Sequence, residues 1–188
     1  MKYSNPDIDS SYRVNNLGET LYNYVLTHKP KIIIEFGTLN GYSAVAMAMA
    51  LHELNQGGKV VCYDLWDKYP FKHSTITQTK TNIDRYDLSN YVELKDQDFN
   101  SWIIEDFDMI HIDISNDGEK IMNALHKLRL QLVLGKHILI EGGSKERDMV
   151  HWMVEHKKTP ISSIKPYIDY TVIDARFPSI SVITNFKK

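Results

Sequence analysis

The chain has 188 residues, 43% hydrophobic and 24% charged, with a formal net charge of −2. That length fits one domain and suffices to bury roughly 70% of the unfolded surface without disulfides, and the charge supplies no global positive field for nucleic acid or an anionic membrane. Cys62 is the only cysteine, which excludes an internal disulfide and a cysteine-based zinc cage. Within Val60-Val61-Cys62 it reads as a small buried hydrophobe. Residues 1–7 carry no apolar signal core, and the longest apolar-rich stretch, 42–54, is too short to span a bilayer. The expectation is a cytoplasmic protein with no membrane and no nucleic-acid partner.

In chain order, residues 1–16 are irregular, either mobile or lying over a site. Residues 31–36 form a β-branched run ending before a glycine, a strand buried on both faces. Residues 43–54, rich in Ala, Met and Leu, predict a helix stopped by Gln56-Gly57-Gly58. A second strand covers 59–64. An aromatic loop follows, with Trp66, Tyr69, Pro70, Phe71 and His73. Then come a polar helix over 75–86, a third strand over 91–95, a fourth around Met109-Ile110-His111-Ile112, and a helix over 119–134. Residues 137–141 predict a fifth strand and 146–157 a helix, with Pro160 beyond its end. The last strands, 170–175 and 179–184, are separated only by Arg176-Phe177-Pro178. So short a link excludes a parallel crossover and implies an antiparallel hairpin. Five βα units and a hairpin define an α/β sheet with helices on both faces.

The chemistry concentrates after the first strand, in Glu35-Phe36-Gly37-Thr38-Leu39-Asn40-Gly41-Tyr42-Ser43. Open α/β sheets bind ligands at this carboxyl edge. Gly37 permits a sharp turn, Gly41 opens the helix without a side chain, and the helix N-terminus favours an anionic ligand group. The spacing departs from the Gly-x-Gly-x-x-Gly of a dinucleotide pyrophosphate site. Asp64, ending the second strand, can accept two hydrogen bonds from a ribose diol; a solvated loop carboxylate is the plainer alternative, and Asp67 is a neighbouring candidate. Trp66 reads as a flank of a ligand or as packing.

From Gly37 to Ala48 the chain resembles the class I S-adenosylmethionine-dependent methyltransferases, closest to the catechol and caffeoyl-CoA O-methyltransferase group. The run Ile110-His111-Ile112-Asp113 is similar to a segment of sugar- and antibiotic-modifying members. The resemblance spans about residues 32–185. It implies a Rossmann-like three-layer α/β sandwich with a seven-stranded, mostly parallel sheet of order 3-2-1-4-5-7-6. Residues 1–188 would be one methyltransferase domain, with 1–30 a cap segment. It further implies S-adenosylmethionine held by Glu35, Gly37, Thr38, Gly41, Tyr42, Ser43, Asp64, Leu65, Asp98, Phe99 and Asp113, with Asp98 preferred to Asp96 opposite the adenine amino group and Phe99 against the ring. Catalysis would fall to Asp113 with Glu141 or His111; an interior structural histidine is an equal reading of His111. Tyr69, Phe71 and Trp66 would help form a lid.

Metal-dependent relatives hold Mg²⁺ with an acid after strand four and an acid pair, or an acid and an Asn, after strand five. Asp113 and Glu141, with Asn116 or Asp117, are the ligand candidates here, although Gly142 stands where the second acid would be. Arg147 reads as an exposed charge at a helix start or as a clamp for an anionic substrate. The reaction implied is methyl transfer to a small molecule, at an oxygen, with a homodimer among the expected assemblies. The alternative is a catalytically silent S-adenosylmethionine-binding module or a subunit that needs a partner. An aminopropyltransferase lacks its acidic cluster, and a nicotinamide oxidoreductase is disfavoured by the glycine spacing and the terminal hairpin.

Overall fold

The structure, a computed structural model, describes residues 1–68, 74–115 and 117–187. Seven strands are ordered β3-β2-β1-β4-β5-β7-β6, the α/β arrangement expected from the strand and helix pattern. The chain divides into two compact units, Met1–Met109 and Ile110–Lys188.

The first unit contains α1 (Leu17–His28), β1 (Ile32–Phe36), α2 (Tyr42–Leu54), β2 (Lys59–Asp64), α3 (Ile76–Asp84) and β3 (Val92–Asp96). β1 pairs parallel with β2, Phe36 opposite Tyr63, and β2 pairs parallel with β3, Asp64 opposite Asp96. Nearly every residue of β1 and β2 is buried, as runs of Ile and Val covered on both faces require. Every residue of α2 from Tyr42 to Leu51 is buried, so only the last turn of this helix meets solvent. α1 was not anticipated. Leu17, Leu21 and Val25 recur every fourth residue and are buried, and Gly18 lets α1 approach α2 closely, since a Cβ there would lie 3.1 Å from the Ala46 Cβ.

In the second unit lie α4 (Gly118–Val133), β5 (His137–Glu141), α5 (Lys145–Asp148), α6 (His151–Glu155), β6 (Ile168–Asp174) and β7 (Ile180–Phe186); β4 (Met109–Ile112) begins at the boundary. β5 and β6 each pair antiparallel with β7. The single helix expected over 146–157 is instead two short ones. Val150 between them is extended, with ψ 141°, and Asp148 turns its carboxylate to accept the Ile161 and Ser162 N–H groups at 2.8 and 3.0 Å. Among the described residues no helix is long and apolar enough to cross a membrane.

Candidate functional site

The bend after β1 is built from backbone conformations that few residues adopt. Gly37 and Gly41 have φ of 89° and 91°, and Leu39 between them has φ of 48°, the left-handed region that glycine enters without steric cost. A Cβ on Gly41 would also lie 3.2 Å from the Thr79 Cγ2. Gly37 N–H donates to Tyr63 O at 3.0 Å and Gly41 N–H to Thr38 O at 2.8 Å. Gly41 caps α2 without a side-chain acceptor, so the opening turn of the helix suits an anionic ligand group. Among the described residues Thr38 Oγ1 is buried without a hydrogen-bond partner of normal geometry, a condition that buried hydroxyls rarely keep.

Asp64 reaches this bend from the tip of β2. Its Oδ2 accepts the Leu39 N–H at 2.7 Å, and its Oδ1 accepts the Leu65 and Trp66 N–H groups at 2.6 and 3.0 Å. An ionised carboxylate offers about four lone-pair positions, so Asp64 retains acceptor capacity on the oxygen that faces Leu39. Trp66, at 3% exposure, donates from its indole to Leu39 O at 3.1 Å and Thr79 Oγ1 at 3.0 Å. It is therefore a support beneath the bend and not part of a lid. Tyr69 and Phe71, the other lid candidates, lie outside the described residues. Asp67 is exposed.

Glu35 and Cys62 sit opposite each other in the β1–β2 register and are both fully buried. The thiol donates to Glu35 Oε2 at 3.7 Å. Burial, then the neighbouring Glu35 charge, pushes the thiol well above its ordinary 9.0. Past β3, Asp98 Oδ1 accepts the Asn100 N–H at 2.7 Å, which starts a tight turn. Phe99 packs edge-on against Phe36 with centroids 4.9 Å apart, and Phe36 stacks on Tyr63 at 4.7 Å. Asp96 is instead exposed and ion-paired with Lys68.

Residues 1–16 lie over the bend, one of the two expected readings. Tyr42 donates from its hydroxyl to Asn5 Oδ1 at 2.7 Å and accepts the Gly18 N–H at 3.3 Å. Asn40 donates to Asp9 O at 3.1 Å. From the other side, Asn82 of α3 donates to Asn40 O at 2.9 Å. Sequence reasoning missed Thr79 and Asn82. Their signal was polar residues three apart on one helix face, a spacing that puts both toward one neighbour.

In the second unit, His111 is fully buried and Asp113 half-buried. Asp117 caps α4 by accepting the Glu119 N–H at 3.1 Å, and Asn116 lies outside the described residues. Arg147 is neither an exposed charge nor a clamp reaching into solvent. It is 5% exposed, and its Nε donates to Glu141 Oε1 at 2.6 Å. A helix start read from sequence alone does not reveal that burial. The expected Mg²⁺ set does not fit. The Glu141 carboxylate already carries a buried guanidinium, and Asp117 is used as a cap. No group of three or more His, Cys, Asp or Glu side chains able to hold a metal ion comes together among the described residues.

A glycine bend facing an acid at the next strand tip lies at the carboxyl edge of the sheet, where open α/β folds bind ligands. The methyltransferase-domain family model matches residues 34–141, and the chain belongs to that family. No curated protein matches the sequence. Solved structures share the fold. An SAH-bound methyltransferase of Podospora anserina is 16% identical with a TM-score of 0.65, covering 96% of this chain and 80% of its own. An O-methyltransferase of Bacillus cereus in complex with SAH is 19% identical, TM-score 0.61, with coverages of 96% and 84%. The SAM-bound O-methyltransferase TomG of Streptomyces achromogenes, involved in tomaymycin synthesis, is 14% identical, TM-score 0.57, with coverages of 95% and 82%.

Proposed function

We propose that this methyltransferase uses S-adenosylmethionine to methylate a small molecule at an oxygen. The observation that carries the reading is the reach of Asp64 to Leu39 N–H, 2.7 Å, which sets a diol acceptor against a glycine bend. Bound S-adenosylmethionine would supply an electrophilic methyl group on a sulfonium. Thr38, Ser43 and the opening turn of α2 would hold its carboxylate, with Gly37, Gly41 and Tyr42 shaping the bend around it. Asp64 and Leu65 would hold the ribose, and Asp98 and Phe99 the adenine. Glu35, fully buried, would act from beneath the bend. Positioning of this kind contributes on the order of 7–11 kcal/mol to a displacement.

Asp113, half-buried just past the end of β4, is proposed as the base for the acceptor proton, with His111, buried on β4, as its neighbour. The named O-methyltransferases that share the fold support oxygen as the acceptor atom. The test is transfer of a labelled methyl group to panels of phenols, sugars and amines. Label on hydroxyls is expected, with Asp113→Asn slower by roughly 10²–10⁴-fold. Label on amines alone would contradict the oxygen assignment, and an unchanged rate in Asp113→Asn would remove it as the base.

A further inference from the structure

Glu141 ends β5 as a buried carboxylate, and its immediate surroundings determine what can bind it. Arg147 Nε lies 2.6 Å from Oε1, and the side chains of the pair are only 6% and 10% exposed. The guanidinium carbon lies 5.4 Å from the ring centroid of Trp152 and 5.4 Å from that of Phe177. The cation is thus held by a carboxylate and two aromatic faces, each attractive to it, and swinging it out would break all three contacts.

The two residues after Glu141 leave no room for a second acid. Gly142 and Gly143 both have φ of 97°, where any side chain is strained. A Cβ on Gly142 would lie 3.2 Å from the Ile161 Cγ1, and one on Gly143 would lie 2.9 Å from the Tyr170 Cε2 and closer still to the Ser181 Oγ. Of the next two carboxylates along the chain, Glu146 is exposed and Asp148 is turned to the Ile161 and Ser162 N–H groups. A hard cation prefers several oxygen ligands, and the Glu141 carboxylate already carries a fixed positive charge, with no group of three or more His, Cys, Asp or Glu side chains able to hold a metal ion among the described residues.

We infer that Arg147 is the resident counter-cation of Glu141, standing where a divalent ion would otherwise bind, and that methyl transfer by this chain runs without a metal. The inference rests on the proposed methyltransferase reading only for its second half. The test uses the full chain with Mn²⁺ as the probe, free Mn²⁺ being followed by electron paramagnetic resonance. Wild type and Glu141→Gln are expected to leave the same free Mn²⁺. Arg147→Met, which uncovers the carboxylate, is expected to bind Mn²⁺ several-fold more tightly than wild type. One more equivalent bound by wild type than by Glu141→Gln would overturn the inference, as would Mn²⁺ binding by a folded Arg147→Met no tighter than wild type.

Should a variant fail to fold, the wild-type melting temperature decides. It is expected to be the same in Mg²⁺ and in EDTA, and a rise in Mg²⁺ would overturn the inference. Labelled-methyl transfer that EDTA leaves unchanged is the expected activity result, and a loss in EDTA restored by Mg²⁺ would overturn the second half. A chain that binds no SAH would instead count against the methyltransferase reading, and the Mn²⁺ comparison would still stand.

Discussion

At the scale of single residues, the site combines saturated and unsaturated groups. Asp64 takes three backbone N–H groups, each a charge-assisted bond worth about 1.5–3 kcal/mol, so the acid holds the bend as well as facing it. Thr38 keeps a buried hydroxyl without a partner of normal geometry among the described residues, the kind of group a ligand satisfies. Glycine spacing and the acid at the strand end were legible because backbone geometry restricts residue choice there. The Glu141–Arg147 pair was not, since burial of a charge is decided by packing far along the chain. Cys62 gives a prediction in pH. Its folded-state pKa is raised well above 9.0, first by burial and then by Glu35, so its contribution to stability is full below pH about 9 and is lost as pH rises further. The melting-temperature difference between wild type and Cys62→Ala is therefore expected to shrink above pH about 9; a difference constant through that range would refute the assignment.

Elements show where local pattern suffices and where it fails. β1, β2 and β5 were read to within a residue because a continuous β-branched run between turn residues has few other solutions. α2 was equally legible from its Ala, Met and Leu content. The helix over 146–157 was not, because no local rule registers that Asp148 is drawn to Ile161 and Ser162. α1 had a readable four-residue apolar spacing, but its stability comes from packing on α2 across Gly18. Tyr42, bonded to both Asn5 and Gly18, and Asn40, bonded to Asp9 O, tie the segment before α1 to the bend. Tyr42→Phe removes both bonds, each worth about 1 kcal/mol. Faster hydrogen exchange over residues 1–16, with little change in β2 or β3, is the expected outcome. Uniform acceleration across the first unit would mean that Tyr42 serves the core and not the strap.

For the whole molecule, the alternating elements and one short hairpin link were enough for an α/β sheet with an antiparallel end, while the order β3-β2-β1-β4-β5-β7-β6 was implied by the family resemblance carried by the glycine run. Chemistry was legible in proportion to its dependence on backbone. The proposed cofactor residues sit on strand tips, tight turns and the start of α2, whereas no period in the sequence marks the residues that would choose the acceptor. Joint binding of an adenosyl sulfonium by the Gly37–Gly41 bend and Asp64 is open to titration calorimetry of the full chain with S-adenosylhomocysteine and with NAD. Binding of S-adenosylhomocysteine that Asp64→Ala weakens by at least about tenfold, about 1.4 kcal/mol, with no heat from NAD, is the predicted result. NAD binding without S-adenosylhomocysteine binding, or full affinity retained in a folded Asp64→Ala, would contradict it.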